Sequence, residues 1–472
     1  MSGTYLGLFG LDAIYLAVGC ALLYGVGLAR PRARDLGLVG LAFLAGWALM
    51  GVVLSLVLMA GIPLSVATVV VCAALVIVAC VLAGRARARA VPVPPVPPRT
   101  WNAPAFAATA IAAAVISIVA AAAVITSFTS LWNPDFDLLT AWLPRARIVY
   151  SLHGLAPSQW STFLDPWYPP LVPVQFGTTF VFVGGFHPSL LPIQQAILGV
   201  AFVVAVLGLL DRVAPRWISF PSFALLITTP WFWWRMQSLL PDATLSYMLA
   251  AAAVVTLIWL WEPHRAWLVL GVVFLAAATL TKLEGSVFAG LLALVAIAAA
   301  FVLRRRRGLP ALLFLVGPAM TIPWRLYLDT HGVAATNPDL NQPSLLNPSF
   351  LVHRSGDFAH ALNLILSGPW RATYRTTEAI LVLGLAVLIL VARRIPVIAL
   401  AAIAWLGLVV LALATTYATS VLDTTAYFAV SGSRVGGNVV VAAAAMTPLL
   451  LGLALRTPAR VRRRGQEAQP GE

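Results

Sequence analysis

The segment Asn133-Pro134-Asp135-Phe136-Asp137, which continues as LLTAWLPRARIVY to Tyr150, sets two acids and two arginines directly after a long apolar run. A carboxylate can take a proton from a hydroxyl, and a guanidinium matches phosphate oxygens with its planar fork of donors. Asn133 reads as a helix cap and Pro134 as the first helical residue. Asp135 then falls in the first turn, where the helix dipole favours a carboxylate. Along a helix Asp137, Ala141 and Arg145 share one face at i, i+4 and i+8, while Asp135 points about 200° away. Pro144 makes that alignment approximate by kinking the helix before Arg145. Asp137 is therefore the candidate proton acceptor and Asp135 a second acid with a structural role at hand.

These charges have distant counterparts. Arg145, Arg147, Arg235, Lys282, Arg325, Arg354, Arg371, Arg375 and Arg434 all fall on what reads as the extracytoplasmic side of the chain's topology. Asp135, Asp137, Asp165, Asp242, Glu284, Asp329, Asp339, Asp357, Glu378 and Asp423 lie on the same side. Cations placed there suit an anionic headgroup such as a phosphate on a polyprenyl chain, and a neighbouring carboxylate suits a general base or a divalent cation.

The elements that position these residues follow from composition. Of the 472 residues, 61% are hydrophobic and 10% charged, against roughly 45–50% and about 25% in soluble proteins. Runs such as AIAAAVISIVAAAAVITSF are continuous, which excludes the alternating segments of a membrane β-barrel and predicts an all-α, polytopic transmembrane bundle. The net charge of +14 comes from arginines at run ends, as the positive-inside rule produces, so no nucleic-acid partner is expected. Cys20, Cys72 and Cys80 all sit within apolar runs and show neither metal spacing nor a disulfide framework. No basic region or cleavage site precedes the first run, which reads as a retained span.

Putting the arginine clusters in the cytoplasm predicts about thirteen spans of roughly 20 residues: residues 5–29, 36–60, 63–83, 103–129, 189–210, 218–239, 243–261, 266–281, 285–303, 309–327, 376–392, 395–417 and 436–456. The N-terminus is then outside and the C-terminus inside. Residues 171–186 read either as a re-entrant or interfacial segment or as one more span. Residues 1–90 hold three leading spans, 91–100 a Pro-rich basic linker, 101–456 the main module and 457–472 a basic tail. The outer loops cover about 130–188, 328–375 and 418–435, and long loops on one face usually carry function.

Four features resemble the bacterial GT-C superfamily of glycosyltransferases that use polyprenyl-phosphate sugars, which includes protein mannosyltransferases and the lipid A aminoarabinose transferase. Asp137, Trp142, Arg145 and Ala146 match the first-loop signature, and WYPPLVP (Trp167 to Pro173) is similar to the Tyr-Pro element of the same loop. LPDATLSY followed by LTKLEG supplies Asp242 and Lys282, and SGSR supplies Arg434 before the last apolar run. The likeness covers roughly residues 100–456. It departs in the three leading spans and in the lack of a large soluble C-terminal domain.

The resemblance implies a GT-C-like fold and inverting sugar transfer on the outer face of a bacterial cytoplasmic membrane. The donor would be a polyprenyl-phosphate sugar and the acceptor a glycan, glycolipid or protein. Asp137 would be the base, Asp242 and Asp135 would orient the acceptor or serve as second acids, and Arg145, Arg434 and Lys282 would hold the donor phosphate. Trp142, Tyr168 and Pro169 would line the substrate groove. A divalent cation (Mg, Mn or Zn) is the only cofactor in view, and its ligands are not assigned. The competing reading is a transporter or flippase of a lipid-linked saccharide, which expects inverted repeats and charges at mid-span. The clean span centres weigh against it.

Overall fold

The computed structural model describes residues 2–28, 36–86, 103–129, 136–163, 165–228, 232, 235–236, 238–303, 305–333, 355–371, 384–390, 392, 394–419 and 423–466. Asp135, the linker 91–100 and most of the expected span 376–392 lie outside them. Among the described residues the regular structure is entirely helical. The main helices are α1 (Ser2–Val26), α2 (Leu36–Met59), α3 (Val66–Ala86), α4 (Ala103–Thr129), α5 (Leu143–Ser151), α6 (Leu171–Val183), α7 (Leu191–Leu210) and α8 (Arg216–Ile227). They continue with α9 (Pro241–Trp261), α10 (Arg265–Thr281), α11 (Leu283–Leu303), α12 (Thr321–Thr330), α13 (Ser355–Arg371), α14 (Pro396–Thr419) and α15 (Thr424–Gln466).

Among the described residues ten helices are long and apolar enough to cross a membrane, so the chain is a multi-pass helical membrane protein. The expected span 266–281 corresponds to the shorter helix α10, of 17 residues, and the expected span 218–239 holds the 12-residue α8, with residues 229–231, 233–234 and 237 outside the described ones. The ambiguous stretch 171–186 forms α6, whose 13 residues extend about 20 Å, too short for a hydrocarbon core of about 30 Å. Eleven of those residues are buried, so α6 is held by protein rather than lipid. Hydroxyls within the spans return to the carbonyl one turn back, as Thr109 does to Ala105 and Ser117 to Ala113, which satisfies them where no water is available.

Helix α9 is the axis of the bundle. Every residue from Pro241 to Leu260 is buried, and α9 packs on α7, α10, α11, α14 and α15. Its run Ala250–Ala253 keeps the side chains small where neighbours crowd it. The leading helices share the same core: α1 packs on α2, α3 and α6, and α2 on α7 and α10. Between Arg305 and Thr330 prolines break the chain into short pieces, with Pro310 inside the first of them. Helix α15 has no such break and runs for 43 residues. Most of the stretch read as the outer loop 418–435 is therefore the start of α15, which puts Arg434 on a helix continuous with the last span.

The α1–α2 contact is backbone-close. A Cβ at Gly46 would collide with the carbonyl oxygen of Tyr15, whereas one at Gly10 meets open space. Gly46→Val is expected to cost about 1–3 kcal/mol or more through overpacking, and Gly10→Val to be neutral. Thermal unfolding and monodispersity of both variants in detergent check this.

Candidate functional site

The site forms at one end of the bundle, from segments far apart in sequence. Phe136 and Asp137 are helical, and residues Leu138–Trp142 then form a π-turn, with the Leu143 amide donating to the Leu138 carbonyl at i→i+5. The wider turn changes the helical phase, so Asp137 and Arg145 do not act on one face as even α-helical spacing predicts. Asp137 instead meets α15, where Arg434 Nη1 donates to Asp137 Oδ2. This ion pair is open to the outside, with side-chain exposures of 19% for Arg434 and 39% for Asp137.

Arg145 points the other way and is fully buried. Its guanidinium lies 5.4 Å from the Trp142 ring, 5.6 Å from Trp160, 4.9 Å from Phe163 and 6.0 Å from Tyr168. Such contacts strengthen on desolvation. Nη2 donates to the Asp165 carbonyl, and Nε and Nη1 make no hydrogen bond among the described residues. Burial pulls the Arg145 pKa down to about 10, with Asp165 and Tyr168 opposing the shift, so it stays charged at neutral pH. Arg145 therefore supplies positive field from behind an aromatic wall. Trp142 belongs to that wall, its ring 5.2 Å from Tyr168. Tyr168 is half-buried and Pro169 buried. The indoles of Trp160 and Trp324 pin this loop by donating to the carbonyls of Pro166 and Trp167 at 3.0 and 2.8 Å.

Asp242 opens α9 just after Pro241, in the first turn, where the dipole favours a carboxylate. Lys282 occupies an extended break between α10 and α11. Its ammonium lies 3.1 Å from Asp242 Oδ1 and 3.3 Å from Glu284 Oε1. Burial disfavours the charge of Lys282, but Asp242 and Glu284 outweigh it and hold its pKa above the ordinary lysine value. A Cβ at Gly285 would strike the Ala278 carbonyl, so the glycine lets this turn close.

Arg235 joins the two halves. It is fully buried. Nη1 donates to the Asp242 carbonyl at 2.7 Å, to Ser246 Oγ at 2.7 Å and to Asn438 Oδ1 at 2.9 Å. Nη2 donates to the Arg434 carbonyl. Ser246 also donates to Asn438, so α9 and α15 are cross-linked directly beneath the Asp137–Arg434 pair.

The structure thus gathers Asp137, Arg145, Tyr168, Asp242, Lys282 and Arg434 into one cluster, and adds Arg235, Asp165 and Glu284, which the sequence marks only as outer-side charges. Asp165 feels the charges of Arg145, Asp137, Lys282 and Glu284, and burial raises its pKa. Ser246 and Asn438 carry no sequence signal beyond their polarity within apolar runs. Among the described residues no three metal-ligating side chains converge, and Asp137 and Asp242 are each engaged by a cation, so no step through a metal ion is derived.

One charge departs from the expectation of clean span centres. Asp12 lies in the middle of α1, buried, with Gln194 the polar side chain beside its carboxylate. A polar network surrounds this part of α1: Tyr15 donates to Gln175 at 2.5 Å, Gln175 to the Trp47 carbonyl at 2.8 Å and Thr179 to Gln194 at 2.6 Å.

No family model, no curated protein and no solved structure matches this chain.

Removing one partner of a buried ion pair costs about 3–5 kcal/mol, whereas replacing both is often neutral. Asp242→Asn and Lys282→Met are each expected to lower the unfolding temperature in detergent, and the double variant to recover much of the loss. Additive losses would show that the pair is not coupled.

Proposed function

We propose that this protein is a membrane glycosyltransferase that moves a sugar from a polyprenyl-phosphate donor to an acceptor hydroxyl, with inversion at the anomeric carbon. The observation that carries the reading is the clustering of Asp137, Asp242, Lys282 and Arg434 at one end of the bundle. In a chain only 10% charged, polar groups concentrated in this way mark a functional site. The opposite end of the bundle holds Arg85, Arg212, Arg216, Arg265 and Arg394, the pattern of a cytoplasmic face. We therefore read the cluster as extracytoplasmic, within a thirteen-span, GT-C-like architecture in a bacterial cytoplasmic membrane, N-terminus outside and C-terminus inside. Nucleotide sugars are not supplied on that side, which favours a lipid-linked donor.

In this scheme the acceptor oxygen forms a bond to the anomeric carbon as the bond from that carbon to the phosphate oxygen breaks. The electron pair leaves on the polyprenyl phosphate, and the acceptor proton goes to Asp137. Arg434, the most accessible cation of the cluster, meets the leaving phosphate. Lys282 and Arg145 add positive field from buried positions. Asp137 is held by Arg434 in this structure, so a donor phosphate that takes Arg434 releases the carboxylate to act as base. Asp242 keeps Lys282 in place and charged.

A flux of lipid-linked saccharide is the second reading, and Asp12 is the observation that favours it, because an ionisable group at mid-span is a common mark of a translocation path.

The test is sugar transfer by purified protein in liposomes from a panel of polyprenyl-phosphate sugars. Asp137→Asn is expected to lose about 10²–10⁴ in rate and Arg434→Ala about 10²–10³, both with unchanged unfolding temperature. Wild-type transfer that survives Asp137→Asn would remove Asp137 from the mechanism. No transfer from any donor, with flux of lipid-linked saccharide that Asp12→Asn abolishes, would select the transporter.

A further inference from the structure

Asp12 is a buried titratable group that the sugar-transfer scheme does not use. Helix α1 buries one stripe, Leu8, Leu11, Asp12, Tyr15 and Val18, at the spacing of a helix face that packs on protein. Asp12 sits in the middle of that stripe and is 8% exposed, while Leu6 and Phe9 are the exposed neighbours. An aspartate side chain is short, so from the middle of a 25-residue helix it reaches neither interface. The seat is also close. A Cβ at Gly7 would strike the Phe182 carbonyl of α6, and Leu8 packs on Val183, Leu190 and Ile193.

The side chains around the carboxyl are polar and uncharged. Gln194 of α7 lies beside it. Thr179 of α6 donates to Gln194 Oε1 at 2.6 Å, which leaves the Gln194 amide nitrogen for Asp12. Tyr15, one turn along α1, donates to Gln175 at 2.5 Å, and Gln175 donates to the Trp47 carbonyl of α2 at 2.8 Å. No counter-charge comes from the helices around α1. Helices α2, α4, α6 and α7 contain no Lys, Arg, His, Asp or Glu. Arg85 ends α3 next to Gly84, which abuts the Tyr24 ring, twelve residues or about 18 Å along α1 from Asp12. Arg265 opens α10, and Lys282 follows it, held by Asp242 and Glu284. His187 lies seven residues before Gln194. The remaining titratable groups, Tyr5, Tyr15, Tyr24 and Cys20 of α1 and Cys72 and Cys80 of α3, carry no positive charge. A carboxylate shut away from water without a cation neutralises by taking up a proton.

We propose that Asp12 is a proton-binding site within the membrane, neutral in mildly acid medium and releasing its proton reversibly as the pH rises. The inference does not depend on the transfer reaction. A carboxylic acid has one O–H to donate and an oxygen that accepts, so the neutral form joins the amide and hydroxyl network that seats α1 on α6 and α7. The ionised form puts an uncompensated charge into that seat. Proton release and loosening of the leading helices are therefore linked, and an ionisable group at this depth is where a membrane protein senses or uses protons.

The experiment records infrared difference spectra of the full-length protein in liposomes, wild type against Asp12→Asn, from about pH 6 to about pH 9 in choline, sodium and potassium buffers. The difference isolates one carboxyl, and Asp12→Ala supplies a second blank. The expected result is a protonated-acid carbonyl band at the acid end that converts reversibly to carboxylate bands as the pH rises. Thermal unfolding gives an independent reading. The folded protein holds the proton and the unfolded chain, open to water, does not, so raising the pH destabilises wild type relative to Asp12→Asn. The effect reaches up to about tenfold in the unfolding equilibrium constant per pH unit until the folded site has ionised. Carboxylate bands already present at the acid end overturn the proposal, and bands that respond to sodium or potassium in place of choline would make a metal cation the occupant. An acid band that never converts overturns it as well, because the group is then a fixed structural acid. Equal pH dependence of unfolding in wild type and Asp12→Asn overturns the link to the seating of α1.

Discussion

A guanidinium buried in an apolar bundle must find oxygen atoms, and for Arg235 those atoms belong to α9 and α15. This requirement fixes the rest of the site. The axial helix α9 carries Asp242 in its first turn, and α15 carries Arg434 beside the carbonyl that Arg235 holds. Neutral oxygens surround Arg235, so Asp242 keeps its carboxylate for Lys282 and Arg434 keeps its side chain for Asp137. The cross-link lets two ion pairs, one buried and one accessible, stand on a rigid base. A lysine in place of Arg235 has a single nitrogen and could not fill both the Nη1 position against Asp242, Ser246 and Asn438 and the Nη2 position against the Arg434 carbonyl.

The two ion pairs differ in what surrounds them. Lys282, Asp242 and Glu284 form a buried triad, where attraction between the charges offsets desolvation and the geometry is settled by packing. The Asp137–Arg434 pair is accessible, so water and ligands compete for both partners and the pair is readily exchanged. Buried charge sets a permanent field, and accessible charge is available for chemistry. Arg145 belongs with the first kind: its aromatic enclosure holds it away from any headgroup while keeping the cation in place.

Much of this was legible in the chain itself. Charge is so sparse, and so costly in lipid, that Asp137, Arg145, Asp242, Lys282 and Arg434 stood out by type and position alone, and the structure brings them to one place. The orientation of Asp137 relative to Arg145 was not legible, because a π-turn depends on tertiary packing and Asp137 turns out to face a helix nearly 300 residues away. The role of Arg235 was hidden as well, since two of its four partners here are backbone carbonyl oxygens that every residue has. Asp12 was masked by the strongly apolar run around it. The helical membrane class follows from composition, but the short, protein-buried α6 depends on the helices packed around it, and hydropathy does not report that.

The cluster as described contains four carboxylates, Asp137, Asp165, Asp242 and Glu284, and four cations, Arg145, Arg235, Lys282 and Arg434. Their sum is zero. Such an arrangement produces strong fields at contact distance and almost none a Debye length away, about 8 Å in physiological salt. Dissolved anions in the surrounding medium would feel no pull toward it, and association from solution would gain nothing from long-range steering. A ligand confined to the bilayer escapes that handicap. It searches in two dimensions at high local concentration, and meets the charges only on arrival. For the lipid-linked donor proposed above, neutrality at a distance would act as a filter that favours visitors travelling sideways through the membrane over those falling in from the water.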